Sequence, residues 1–313
     1  MILNEPSMND TNTSVVECTK CSQKNRLTKR SSSGFYSCAK CGSRLKDPFS
    51  IDHSIMNQDN PRNIPIYYFD KGQYDRALPL FLVLLENGEN DSGLYYMTGQ
   101  CYRFLNKIDD AIEYLKQAAL RLVEPDRNEG EHAYYVFLGL GIALQLAERY
   151  EESAQELTKA VNLIPSKWSA CNSLGLTYKS AERYSDALKS YRMALERYVN
   201  KVIDKLETNT GEHLTKPMDV GGKKVAMMNT EISEKIPDAL RSDPIYATLK
   251  DNIGRVYLAL GDLDAAKESF EESIDYIPRG FDFPAPYFGL EEIAEIRSRW
   301  PEDAGIVLVE DDD

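Results

Sequence analysis

Four cysteines near the start of the chain have the spacing of a metal site. They form two Cys-x-x-Cys pairs, and sixteen residues separate Cys18 and Cys21 from Cys38 and Cys41. Thiolates are good ligands for Zn²⁺, and two such pairs can close a tetrahedron with Zn–S distances of about 2.3 Å. Because four thiolates leave no open position on the ion, we expect one structural Zn²⁺ per chain. A redox pair and a catalytic metal are the alternatives.

The segment that carries these cysteines, residues 16–46, needs the ion in order to fold. It is too short to bury a sufficient apolar core, so metal binding has to supply much of the folding free energy. Residues 34–37 are predicted to form a short aromatic strand, and Gly42 suits a tight turn after the last ligand. The segment resembles a zinc ribbon, similar to the one that precedes the catalytic domain of some bacterial thioredoxins. No thioredoxin Trp-Cys-Gly-Pro-Cys motif follows it, so the resemblance implies no thioredoxin activity.

Basic residues are concentrated in the same segment. The formal net charge of the chain is −13, yet eight Lys and Arg residues and no acidic residue occur between Cys18 and Lys46. They could form a solvated surface that partly offsets the charge of a zinc tetrathiolate, or they could dock on the acidic remainder of the chain. They could also contact nucleic acid or an acidic partner. The candidates for such contacts are Lys20, Lys24, Arg26, Lys29 and Arg30.

The sequence contains no recognisable catalytic constellation. The histidines His53, His132 and His213 are scattered, and neither a phosphate-binding loop nor a nucleophile motif is present. The first residues lack the apolar core of a signal peptide, and no apolar run approaches the ~20 residues that span a bilayer. We therefore expect a soluble, cytoplasmic protein that is not an enzyme.

The chain after residue 65 repeats one pattern of small and apolar residues. A small residue recurs at steps of 34, 42, 34 and 79 positions, a glycine precedes four of these residues by 12, and an apolar residue follows each by 4. Agreement at several positions predicts pairs of antiparallel helices that cross at the small residues. The recurring small residues are Ala77, Ala111, Ser153, Ala187 and Ala266.

The pattern resembles the tetratricopeptide repeat, a 34-residue helix-turn-helix unit. The resemblance is most complete in residues 168–199, which contain Trp168, Gly175, Tyr178 and Ala187 at the expected offsets. It implies an all-α helical solenoid of about five repeats plus a capping helix, preceded by the small β zinc ribbon. The first repeat is degenerate, so its first helix should be short or absent.

The predicted organisation has five segments. Residues 1–15 form a flexible N-terminus, 16–46 the zinc ribbon, 47–65 a linker, 66–298 the solenoid and 299–313 an acidic tail.

An insertion at about residues 198–245 is predicted to interrupt the solenoid. In it, the preceding helix runs on to about Glu207, residues 208–222 form a loop, and residues 229–240 form a short helix.

In the tetratricopeptide family, the first helices of the repeats line a groove that holds a peptide or protein segment. The resemblance therefore implies a non-enzymatic adaptor, with the ribbon as a second docking module. The alternative is a nucleic-acid-associated factor whose ribbon contacts DNA or RNA while the repeats recruit a partner. The groove candidates at the corresponding positions are Tyr96, Gln100, Arg103, Tyr135, Gln145, Asn172, Lys179, Asp251, Asn252 and Arg255.

Overall fold

The computed structural model describes most of the chain in two compact units, Met1–Gly72 and Gln73–Asp313. No described helix has an apolar stretch long enough to cross a membrane. Most of the predicted flexible N-terminus and the predicted acidic tail after Arg299, which is the last residue of the final helix, lie outside the described residues. The described residues are 13–18, 20–28, 36–41, 44–45, 60–122, 129–211, 213–220, 223–228 and 230–299.

The N-terminal unit contains two short antiparallel hairpins, and each connects its strands through one cysteine pair. β1 (Thr13–Glu17) pairs with β2 (Lys24–Thr28), and β3 (Tyr36–Ser37) pairs with β4 (Arg44–Leu45). β1 starts before the predicted boundary at residue 16. The predicted strand 34–37 is observed at its last two residues, because residues 34 and 35 lie outside the described part.

The same unit ends in a short helix, α1 (Asn63–Asp70), which has eight residues and starts inside the predicted linker. Its length agrees with a degenerate first repeat. Residues 47–59 of the predicted linker lie outside the described residues.

The second unit is built from helices that pack as successive antiparallel pairs. Pairs form between α3 and α4, α5 and α6, α7 and α8, and α10 and α11, and each pair packs against the next along the chain. The helices are α2 (Tyr74–Glu86), α3 (Ser92–Phe104), α4 (Ile108–Leu120), α5 (Glu129–Leu146), α6 (Tyr150–Leu163), α7 (Trp168–Ser180), α8 (Tyr184–Thr210), α9 (Thr230–Leu240), α10 (Ile245–Ala259), α11 (Leu263–Asp275) and α12 (Ala285–Arg299).

Glycines allow the two helices of each pair to approach closely, as the spacing predicted. A Cβ atom placed on Gly175 would lie 2.7 Å from the ring of Tyr191, which is fully buried. The same contact, between two residues sixteen positions apart, recurs in three other pairs. The repeat pattern in the sequence therefore reflects one packing contact that each of these pairs makes. The other contacts are Gly99 with Leu115, Gly141 with Leu157 and Gly254 with Phe270.

A residue with positive φ closes the turn inside each of the four pairs. Asn106, Glu148, Glu182 and Gly261 each stand two positions before the second helix and have φ between 58° and 78°. Glycine adopts this conformation without a Cβ penalty, whereas other residues do so at a cost of roughly 1–2 kcal/mol. The two glutamates therefore hold strained turns that the packed helices impose.

The insertion differs from its prediction in one respect. α8 ends at Thr210, close to the expected end, and α9 occupies the place of the predicted short helix. The predicted loop 208–222 was wrong in its second half, because β5 (Thr215–Val220) and β6 (Lys223–Met228) form an antiparallel hairpin. Val220 pairs with Lys223, so two glycines separate the paired residues, which is a sequence signal of a two-residue hairpin turn.

The last helix covers the end of the solenoid. Phe270 of α11 is fully buried, and it lies against Gly254 of α10 and Gly289 of α12. A Cβ at Gly289 would be 2.5 Å from the Phe270 ring, and Ile293 joins the same apolar cluster. α12 therefore repeats the packing of a first helix and removes the exposed apolar face that the last pair would otherwise present.

Candidate functional site

The four N-terminal cysteines converge as the spacing predicted. Their Sγ atoms all lie within 4.8 Å of one another, and the Cys18–Cys41 and Cys21–Cys38 pairs are each separated by 3.6 Å. A disulfide would require about 2.05 Å. Four sulfurs about 2.3 Å from a central Zn²⁺ would be roughly 3.8 Å apart, which is close to the 3.6 Å of these two pairs. The four thiols could therefore hold one metal ion.

Backbone amides in both cysteine turns point at sulfur atoms. Burial raises the pKa of Cys38, but hydrogen bonds from the amides of Cys41 and Lys40 outweigh it and lower that pKa to about 6. The Gln23 amide lowers the pKa of Cys21, but burial and the three neighbouring thiols raise it to about 12. Four thiolates at this separation repel one another, so a bound cation would be needed to keep all of them ionised.

A buried asparagine connects the two cysteine turns. Asn25, which is 6% exposed, donates from Nδ2 to the carbonyl of Gln23 at 2.7 Å and to Cys38 Sγ at 3.6 Å. Its Oδ1 accepts a hydrogen bond from the Ala39 amide at 3.0 Å. Such outer contacts orient metal ligands. Sequence reasoning missed Asn25, because its position bears no fixed relation to the Cys-x-x-Cys pattern.

Two of the five basic candidates can be located on the surface of this unit. Lys20 and Lys24 are exposed, and so is Lys40 beside Cys41. Arg26 lies in β2, but the position of its side chain is not described, and Lys29 and Arg30 lie outside the described residues.

The groove candidates of α3 lie against the first helix of the next pair. Gln100 is buried, and its Oε1 accepts a hydrogen bond from Arg103 Nε at 2.7 Å. The amide of Gln100 lies so close to Gly139 of α5 that a Cβ there would be 2.2 Å from Nε2. The ring of Tyr96 meets His132 of α5 edge to face, with centroids 5.9 Å apart. The small size of Gly139 thus lets polar side chains pack between α3 and α5.

A lysine that was not among the predicted site residues connects α5 to the start of α7. Lys167 donates from Nζ to the hydroxyl of Tyr135 at 3.0 Å and to Glu131 at 2.6 Å. Its ammonium also lies 4.3 Å from the centroid of the Tyr135 ring, which is a cation–π contact. Gln145, the other candidate of α5, is partly buried, and no hydrogen bond of its side chain occurs among the described residues.

The remaining five candidates form one polar cluster between α7 and α10. Asn252 Nδ2 donates to Asn172 Oδ1 at 3.2 Å, and Arg255 Nε donates to Asp251 Oδ2 at 3.0 Å. Asp251 is 5% exposed, and its Oδ1 has no hydrogen-bond partner among the described residues. Burial lowers the pKa of Lys179, as does the nearby Arg255, whereas Asp251 opposes the shift. The α7 residues and the α10 residues of this cluster are 72 or more positions apart in the sequence, and the packing of the helices brings them together.

Solved structures and curated proteins add little to this assignment. The chain is similar to YrrB, described as a TPR protein with an unusual peptide-binding site, with 17% identity over 74% of this chain and 90% of that chain and a TM-score of 0.49. It is also similar to MamA from Desulfovibrio magneticus RS-1, with 15% identity over 69% and 92% of the two chains and a TM-score of 0.48. At such identities the likenesses concern the fold alone. The search of curated proteins found no match.

Models of the tetratricopeptide repeat match the helix pairs directly. The matches cover residues 66–127, 96–170, 169–201 and 247–279. They leave out the cysteine-bearing segment and the insertion that holds β5, β6 and α9. Because the matched segments together cover more than half of the 313 residues, this chain belongs to the tetratricopeptide repeat family.

Proposed function

We propose that this protein is a non-enzymatic adaptor that binds a peptide or protein segment along the first helices of its repeats. The observation that carries the proposal is the polar contact between the first helices α7 and α10, where Asn252 Nδ2 donates to Asn172 Oδ1. Both asparagines are only partly buried, so a ligand in the groove can reach their side-chain amides.

The neighbouring groups suit an extended peptide. Each side-chain amide of Asn172 and Asn252 can donate and accept, and the hydrogen bond between them uses only part of that capacity. Lys179 and Arg255 supply donors at the same cluster. A peptide backbone presents alternating N–H and C=O groups, so it can pair with side-chain amides that both donate and accept.

Photocrosslinking in cells tests this assignment. A photoreactive amino acid at position 172 should capture a protein partner, and the matched control position is Glu268, an exposed residue of the second helix α11. Adding Tyr96→Ala and Asn252→Ala should abolish the crosslink at position 172. Equal capture at both positions, or capture that ignores the two substitutions, would refute the groove.

We also propose that the cysteine cluster binds one structural Zn²⁺, which would make the N-terminal unit a second docking module. The proximity of the four sulfurs and the amide hydrogen bonds around Cys38 support this role. A closed site with four thiolates gives no position for a substrate, so the ion would contribute folding energy and no catalysis.

A second candidate function is nucleic-acid binding by the N-terminal unit. It is favoured by the exposed side chains of Lys20, Lys24 and Lys40 around the cysteines. Phosphate contacts make binding fall with rising salt, so the affinity of the full-length protein for DNA and RNA should be measured across salt concentrations. If no salt-dependent binding occurs, or if Lys20→Gln with Lys24→Gln leaves it unchanged, this candidate fails.

A further inference from the structure

A cavity of about 770 Å³ lies beside the groove candidate Tyr135. Its walls come from Tyr135 of α5, from the turn and first residues of α7 at Pro165–Ser169, and from one face of α8. The α8 face extends from Arg197 to Asp204, in the part of α8 that continues into the insertion. The cavity therefore exists because this helix is longer than the repeat requires.

The cavity contains more positive than negative charge although the chain is acidic. Arg197 and Lys201 line it one helical turn apart, and neither forms an ion pair within the described part of the chain. Lys167 also lines it but is paired with Glu131 at 2.6 Å. Asp204 is the one carboxylate among the lining residues.

Arg197 and Lys201 remain able to bind a ligand. One guanidinium nitrogen of Arg197, Nη1, lies 2.6 Å from Cys171 Sγ, and a guanidinium has five N–H donors in total. Lys201 is exposed, and its ammonium has three donors. The indole of Trp168 and the phenol of Tyr135 also line the cavity and supply apolar surface. Two cations and two aromatic rings suit an acidic side chain with a hydrocarbon stem or backbone behind it.

We infer that this cavity binds an acidic side chain, a carboxylate or a phosphorylated hydroxyl, of the peptide that occupies the neighbouring groove. The inference rests on the proposed peptide-binding function and adds a charge requirement to it. Arg197 would bind the anionic oxygens through parallel N–H donors, and Lys201 would add a second positive charge. Tyr135 lines both the cavity and the groove, so one ligand can reach both.

Tryptophan fluorescence provides a direct assay. The chain has two tryptophans, Trp168 and Trp300, so Trp300→Phe leaves the cavity tryptophan as the sole reporter in the full-length protein. Four probes should be titrated. One is inorganic phosphate, and the other three are versions of one short peptide with phosphoserine, glutamate or serine at the central position. The two acidic peptides should change the emission at concentrations at which the serine peptide and inorganic phosphate do not.

Three substitutions on α8 separate charge from folding. Lys201→Gln should weaken binding of the acidic peptides at least about 10-fold, since a charge-assisted hydrogen bond is lost. Asp204→Asn should strengthen binding, because it removes the lining carboxylate. Lys189→Gln, which removes an exposed lysine of the same helix outside the cavity, should change nothing.

The inference is overturned if the three peptides bind equally, if none binds, or if inorganic phosphate binds as tightly as the acidic peptides. It also fails if Lys201→Gln and Asp204→Asn shift the affinity in the same direction. Crosslinking from position 172 does not depend on these charges. A positive crosslink with no charge dependence would therefore remove the cavity from the binding site and leave the proposed adaptor function intact.

Discussion

Replacing Gly175 by alanine should destabilise the best-formed repeat. The new Cβ would lie 2.7, 2.8 and 2.9 Å from three carbons of the Tyr191 ring. Comfortable contacts between carbons are about 3.5–4.0 Å, so the ring or the helix must move by roughly 1 Å. Tyr191 is fully buried and its ring is rigid, which leaves little room for that movement.

The expected magnitude follows from two opposing effects. Overpacking a buried contact costs about 1–3 kcal/mol, and three ring atoms in conflict place this site in the upper half of that range. Alanine in a helix interior recovers about 1 kcal/mol relative to glycine. The net loss in the free energy of unfolding should therefore be about 1–2 kcal/mol.

Urea denaturation followed by far-ultraviolet circular dichroism measures this loss. The matched control is Gly130→Ala, because Gly130 lies in α5 and a Cβ added there would meet no atom within 4 Å, so only the helix preference should act. Gly130→Ala should be neutral or stabilising by up to about 1 kcal/mol. In a Tyr191→Ala background, Gly175→Ala should cost nothing. If Gly175→Ala matches the control, or if its cost persists without the ring, the packing argument is wrong.

Three further perturbations test other contacts. Glu182→Gly should stabilise the protein by about 0.5–1 kcal/mol in the same urea assay, because glycine adopts a positive φ without strain. Gly261→Glu should destabilise the protein for the same reason. Shifts of the opposite sign would show that the glutamate turns are not strained. Metal analysis should return about one zinc per chain, lost in Cys38→Ser but kept in Cys101→Ser; a metal-free wild type would exclude the metal site. Phe270→Ala should cost about 3–5 kcal/mol and expose the amides of α12 to hydrogen exchange, whereas unchanged protection would show that the ring does not hold the cap.

The contacts within each repeat could be predicted from the sequence because each one joins residues at a fixed separation. Gly175 meets Tyr191 sixteen positions later, and the same interval connects the glycine and the apolar residue in three other pairs. A local pair of helices can be read from such intervals, since both partners belong to one repeat. The cysteine cluster could be predicted for the same reason, because each Cys-x-x-Cys pair places two thiols three positions apart.

The hairpin in the insertion was missed for a physical reason. β5 and β6 have no counterpart in the repeat, so periodicity gave no register for them. Both strands are short and contain lysine and methionine with few β-branched residues, and β5 also contains Pro217, which weakens the strand signal. Gly221-Gly222 was the available clue, and the prediction assigned it to a loop.

The sequence by itself determined the helix pairs, their small-residue crossings and the candidate ligands of a metal, because these features depend on spacing along one short stretch of chain. Only the tertiary structure decided which first-helix side chains meet. Asn172 and Asn252 are 80 positions apart and bond because the insertion leaves α10 packed beside α7 and α8. The tertiary structure likewise decided that the C-terminal part of α8 lines a cavity together with Lys167, a residue outside every repeat motif. Contacts between repeats depend on how helices stack, and no interval in the sequence encodes that stacking across an insertion.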